Sequence, residues 1–166
     1  MDYEGIGIFC DEDMVVTGDI WELFSHCSKL PEPWDCAVVK SLPRFEWPSV
    51  IAFNNKRLTH LTTEYVDDPD NDLFSFEWAQ HVAELPEEWN HCCGIQTPKE
   101  AKLYHWTQGI PYWLETRGLP EDGIWFKAFE EMVKTEDWVT FHRNTVHFKP
   151  VMKRFLEKYG LKMGAA

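Results

Sequence analysis

Short apolar runs bounded by turn-forming residues recur through the first two thirds of the chain. "GIGIFC", from Gly5 to Cys10, is one such run and reads as a buried strand. "CAVV" from Cys36 and "SVIAFN" from Ser49 read the same way, with the loop "KSLPRFEWP" and its two prolines between them. After Cys10 the apolar pattern stops at Asp11, Glu12 and Asp13, resumes briefly, and reaches a Gly18-Asp19 step. Asp19 is placed to cap a short helix, "IWELF". "DDPDND", Asp67 to Asp72, reads as a polar turn. "FEWAQHVAEL", Phe76 to Leu85, has the spacing of a short helix that "LPEEWN" ends. "AKLYHWT", Ala101 to Thr107, reads as a strand that "QGIPYW" breaks with Gly and Pro.

The tail changes period. Trp125, Phe129, Met132 and Val133 fall at helical spacing between Glu121 and Thr135. A last helix is expected near Pro150, with Val151, Met152, Phe155, Leu156 and Tyr159 on one face. Mixed strands and helices followed by a helical tail predict an α/β domain over 1–118 and a C-terminal helical extension over 119–166.

Composition agrees with a folded core. Of 166 residues, 44% are hydrophobic and 15% aromatic, enough for one domain without staples. The net charge of −12 excludes a general nucleic-acid surface, which needs clustered Lys and Arg. It is compatible with one phosphorylated ligand held through a metal. The basic stretch between His142 and Lys162, mixed with Phe148, Phe155 and Tyr159, reads as a solvated helix face, with peripheral contact to an anionic membrane as the sharper alternative. The five cysteines are odd in number, two are adjacent, and no secretion signal precedes them. They are expected to be reduced thiols in a cytoplasmic protein. His26-Cys27, Cys36 and His91-Cys92-Cys93 lack Cys-x-x-Cys spacing and read as buried small side chains in preference to zinc ligands.

The acids after Cys10, which taken alone also read as a solvated turn, are the candidates for chemistry. Carboxylates at the end of a buried strand are costly unless something binds them. Asp-x-Asp there can aim both carboxylates out of the sheet edge, where ligands of open α/β sheets sit. A hard cation such as Mn²⁺ or Mg²⁺ prefers oxygen ligands and keeps positions open for substrate phosphates. His105 follows a predicted strand and precedes a Gly-Pro turn, which makes it a candidate partner.

The surrounding motifs carry a resemblance. "YEGIGIFCDEDMVVTGDIWELF" resembles the metal-motif segment of nucleotide-sugar glycosyltransferases of the GT-A (Rossmann-like) fold, nearest to family-8-like bacterial and phage enzymes. "WPSVIAFNN", "LTTEYVDD", "ELPEEWN" and "AKLYHWTQGIPYW" are similar to further motifs of that family, in the same order, so the likeness runs from about Tyr3 to Trp113. The resemblance implies a metal held by Asp11, Asp13 and His105, with Asp11 also touching the nucleotide ribose. It places the backbone around Thr107 to Gly109 against the diphosphate and Asn54 against the donor sugar. It implies transfer of a sugar from a nucleoside diphosphate sugar to a glycan or other acceptor hydroxyl, with retention of configuration.

Three departures qualify the expectation. The chain starts almost at the metal-motif strand, so the fold expected is a truncated GT-A mixed sheet with flanking helices, completed by a partner chain or a second copy. Ala79, Gln80 and His81 stand where relatives carry acids, leaving Gln80 as the hydrogen-bonding candidate at the sugar. No Lys follows His105 within a few residues to neutralise the leaving diphosphate. The alternative expectation is a non-catalytic fragment acting as a binding or assembly module.

Overall fold

The computed structural model describes residues 4–134 of the 166-residue chain. The helix expected from Pro150 and the basic stretch lie outside them. The chain divides into two compact units, one ending at Asp122 and one beginning at Gly123.

The first unit holds two sheets. Strands β1 (Ile6–Cys10), β4 (Val50–Asn54), β3 (Cys36–Val38) and β5 (Val82–Glu84) form one, in the order β1-β4-β3-β5. β1 and β3 run antiparallel to β4, and β5 runs parallel to β3. Strands β2 (Met14–Val16), β7 (Leu103–His105) and β6 (His91–Cys92) form the other, in the order β2-β7-β6. β2 is antiparallel and β6 parallel to β7. The result is an α/β fold with mixed sheets.

Side-chain alternation along β3 and β4 explains why their sequences read as unbroken apolar runs. Ala37, Val39, Val50 and Ala52 pack in one cluster with Leu23, Cys27, Leu85, Trp89 and Leu103. Cys36, Val38 and Ile51 pack in a second cluster with Leu58, Phe76 and Trp78. Successive residues of a strand face opposite sides, so a strand buried on both faces has no polar register. Helix α1 (Ile20–Cys27) covers the first cluster. Leu23 and Cys27, one turn apart, are fully buried, and Asp19 caps the helix by accepting from Trp21 N.

The helix expected over Phe76 to Leu85 does not form. Phe76 takes φ 59° in the left-handed region, which ends any helix there. The buried Asp35 carboxylate then accepts from Gln80 N and His81 N, both at 2.8 Å. This fixes a turn and delivers Val82–Glu84 to β3 as a parallel strand. The loop "KSLPRFEWP" also differs from expectation, since Arg44–Ser49 winds into a 3-10 helix that runs directly into β4. A short helix α2 (Thr63–Asp67), capped by Thr62, lies within the "LTTEYVDD" motif.

Helix α3 (Asp122–Val133) starts at the last residue of the first unit. Within the second unit Trp125 and Phe129 stack with ring centroids 4.8 Å apart. This is the helical spacing expected from the sequence.

Candidate metal and donor site

Antiparallel pairing brings the acids to the histidine. β2 follows Asp13 directly, and its first residue, Met14, is paired with His105. The turn between β1 and β2 is pinned at both ends: Asp11 N donates to Ser49 O at 3.0 Å, and Trp106 N donates to Asp13 O at 3.1 Å. One ligand atom from each of Asp11, Asp13 and His105 lies within 4.8 Å of the others. His105 Nε2 is 3.2 Å from Asp13 Oδ1 and 3.9 Å from Asp11 Oδ2. Glu12, between the two aspartates, is exposed.

The donor set fits a hard divalent cation. Asp13 Oδ1 is buried and accepts no hydrogen bond, despite its closeness to His105. A buried carboxylate oxygen left so costs about 1–3 kcal/mol, and a cation among these three side chains would recover it. Burial holds the Asp11 carboxyl above its usual range; the His105 charge opposes this, and Asp13 and Glu12 add to it. A bound cation favours the charged form of such a group.

Sequence reasoning missed a fourth member. Glu46, in the 3-10 helix before β4, is only 5% exposed. Its Oε2 lies 3.6 Å from His105 Nδ1, on the side of the ring away from the aspartates. Burial raises its carboxyl; His105 and the Cys92 thiol pull it back in part, while Asp11 and Asp13 push it further up. Burial, together with Glu46 and Cys93, pushes the Cys92 thiol up to about 12, so this cysteine is a neutral neighbour. The imidazole thus lies between a carboxylate pair and a single carboxylate, the kind of arrangement in which a second carboxylate would orient a histidine toward a metal. The only signal in the sequence is an acid set between aromatic residues and prolines, which looks like an ordinary loop position.

The other expected residues sort into two places. Thr107 and Gly109 follow β7 directly. The Thr107 hydroxyl is buried without a partner, and Gly109 takes φ 107° with its N donating to Trp106 O at 2.8 Å. A cavity of about 190 Å³ opens there, lined by Trp106, Gly109, Thr116 and Arg117 among others. The Arg117 Nε and Nη2 donate to the carbonyls of Pro111 and Tyr112, at 2.6 and 2.8 Å.

Asn54 and Gln80 are not brought to the aspartates. Asn54 pairs with Ile6, whereas Cys10, next to Asp11, pairs with Val50 at the other end of the same two strands. Four residues of strand separate these ends, roughly 13 Å. Asn54 is 3% exposed, and its amide donates to Trp34 O at 3.0 Å. Gln80 is exposed, and its backbone is tied to Asp35. Asp35 organises this end: besides those two amides, Arg57 Nε donates to its Oδ1 at 2.6 Å. Burial would raise the Asp35 carboxyl, but the Arg57 and backbone hydrogen bonds prevail and hold it below its usual range.

No family model matches the chain, and no curated protein matches it. Among solved structures, the glycosyltransferase GlyE of Streptococcus pneumoniae TIGR4 is similar, with a TM-score of 0.53 and 16% identity. The match covers 98% of this chain and 46% of GlyE, so the chain spans under half the length of that structure. The class defined by the architecture is therefore a mixed α/β, glycosyltransferase-like fold. At this identity the likeness is one of fold.

Proposed function

We propose that this chain is a metal-dependent glycosyltransferase of the GT-A type, family-8-like, that moves a sugar from a nucleoside diphosphate sugar to an acceptor hydroxyl. The observation that carries the reading is the convergence of Asp11 and Asp13, in the turn between β1 and β2, with His105 at the end of β7, with a buried carboxylate oxygen left without a hydrogen bond among them. The likeness in fold to GlyE supports it.

In this reading Asp11, Asp13 and His105 hold Mn²⁺ or Mg²⁺, and the cation when bound supplies Lewis-acid stabilisation of the departing diphosphate. Glu46 keeps the His105 ring turned toward the aspartates. Thr107 and the backbone around Gly109 face the diphosphate, and Arg117 adds positive charge at that cavity. Preorganised donors aimed at developing charge are the largest lever such a site has. No side-chain nucleophile is required if the acceptor attacks from the face the diphosphate leaves, which gives retention of configuration. Asn54 and Gln80 would meet the donor sugar only through its reach toward Asp35. A second copy would pair at the β1 edge, and the protein would work in the cytoplasm.

The test is calorimetric and thermal. Mn²⁺ with UDP, GDP, CDP or ADP should raise the melting temperature of the wild type, and Asp13→Ala should remove the shift. No shift with any of the four in the wild type would sink the reading. A second reading, a non-catalytic binding or assembly module, is favoured by the separation of Asn54 and Gln80 from the aspartates. Hydrolysis of a panel of nucleotide sugars with Mn²⁺ separates the two: binding without any hydrolysis supports the module.

A further inference from the structure

Strand β6 presents alternate residues to opposite sides. Cys92 faces the site just described, with Sγ 3.9 Å from His105 Nδ1. His91 and the next residue of like orientation, Cys93, face away from it. There they meet Glu121, the residue preceding α3. We propose that His91, Cys93 and Glu121 form a second metal site, of zinc type, that fastens the segment ending at Glu121 to β6. It shares no residue with the proposed catalytic site and stands whether or not that reading holds.

Three observations carry it. First, the trio is fully interior: His91 and Cys93 are 0% exposed and Glu121 is 5% exposed. One ligand atom from each lies within 4.8 Å of the other two. Zinc bonds of about 2.0–2.3 Å in a tetrahedron set ligand atoms roughly 3.3–3.7 Å apart, so the trio is within a small contraction of coordination distance. His91 Nε2 and Glu121 Oε1 already stand 3.1 Å apart.

Second, the hydrogen-bonding needs of the trio are half met. His91 Nδ1 and Glu121 Oε2 are buried and have no partner. A carboxylate taken out of water is costly unless paired and hydrogen-bonded on both oxygens. Among the described residues the ion-pair partner of Glu121 is His91, with no Lys or Arg to share it. A divalent cation relieves what the imidazole alone leaves.

Third, the donors differ in kind from those around Asp13. Burial and Glu121 push the metal-free Cys93 thiol up to about 12, so a metal would have to displace its proton; imidazole nitrogen, the resulting thiolate and one carboxylate select zinc, whereas two carboxylates and an imidazole suit Mn²⁺ or Mg²⁺. The three protein donors leave one position of the tetrahedron for a water or a backbone oxygen. Full burial makes the site structural: the metal enters as the chain folds and closes the segment from Cys93 to Glu121.

The experiment is elemental analysis joined to cobalt substitution. Protein produced with added zinc, without a histidine tag, should carry one zinc per chain in the wild type and equally in Asp13→Asn. Protein produced in cobalt medium should show a thiolate-to-cobalt charge-transfer band that Cys93→Ser removes and Cys92→Ser keeps. Glu121→Gln should lower the zinc content with the thiol intact. Wild type that holds no zinc and shows no thiolate–cobalt band overturns the proposal without recourse to any variant. Zinc that follows Asp13, or a band that follows Cys92, overturns it as well.

Discussion

Glu46 and Asp35 are both buried carboxylates, and their surroundings push them in opposite directions. Asp35 is depressed by its donors, so its contribution to stability is present above the ordinary value of 3.8 and lost as pH falls through the depressed folded value. Asp35→Asn should cost about 2–3 kcal/mol at neutral pH, the scale of a charge-assisted hydrogen bond with a partly exposed partner. Urea denaturation across pH should show that deficit shrinking below pH 3.8. Glu46 is raised, so its ionised form burdens the metal-free fold: the favourable balance holds below the ordinary value of 4.5 and is lost as pH rises through the raised value. Glu46→Gln should therefore melt higher than wild type near neutral pH without metal, with the gain vanishing below pH 4.5. The same substitution should weaken Mn²⁺ binding by roughly tenfold or more, read by electron paramagnetic resonance of the free ion, since it loosens the orientation of His105. A purely structural Glu46 would not separate the two effects. Neither acid announces its role locally. Asp35 draws its partners from Arg57 and the 80–81 turn, and Glu46 acts on a residue of another strand.

At the scale of elements, β2, α1 and β7 meet at one joint. Thr17 N and Gly18 N both donate to Lys102 O, at 2.9 and 3.0 Å, just before Asp19 starts the helix. A Cβ on Gly18 would fall 2.6 Å from Lys102 Cβ and 2.7 Å from its Cγ. These atoms sit close to the backbone and cannot swing clear, so Gly18→Ala should destabilise by about 1–3 kcal/mol in chemical denaturation. Asp19→Ala should cost about 1 kcal/mol through loss of the cap. This joint was legible, because Gly18-Asp19 before an apolar run is a local signal. β1, β4 and β7 were legible for the same reason. β5 was not: Val82–Glu84 is three residues long, and the aromatic spacing before it mimics a helix. What makes it a strand is Asp35, about 45 residues earlier, gripping the backbone at Gln80 and His81.

For the whole molecule, β1 forms the edge of its sheet among the described residues, and Phe9 on it is 47% exposed. An open edge with an apolar side chain invites pairing with another chain. Light scattering at high concentration should give a mass above the 19.6 kDa of one chain, and Phe9→Lys should return it toward that value. A clean single-chain species for the wild type would speak against pairing at that edge. The motif order along the chain foreshadowed the meeting of Asp11, Asp13 and His105. It did not foreshadow that Asn54 and Gln80 gather instead at Asp35, because that depends on which ends of β1 and β4 are paired.

The pairing of Met14 with His105 also has a consequence in time. About ninety residues separate Asp13 from His105 along the chain. At ribosomal speeds of about 5–20 residues per second, the two aspartates exist for roughly ten seconds before their histidine has been made. During synthesis they are ordinary acids in the turn after β1, and the proposed three-residue cation site exists only once β7 pairs with β2. Under the proposed function, the full ligand set is out of reach of any nascent chain that has not yet included His105.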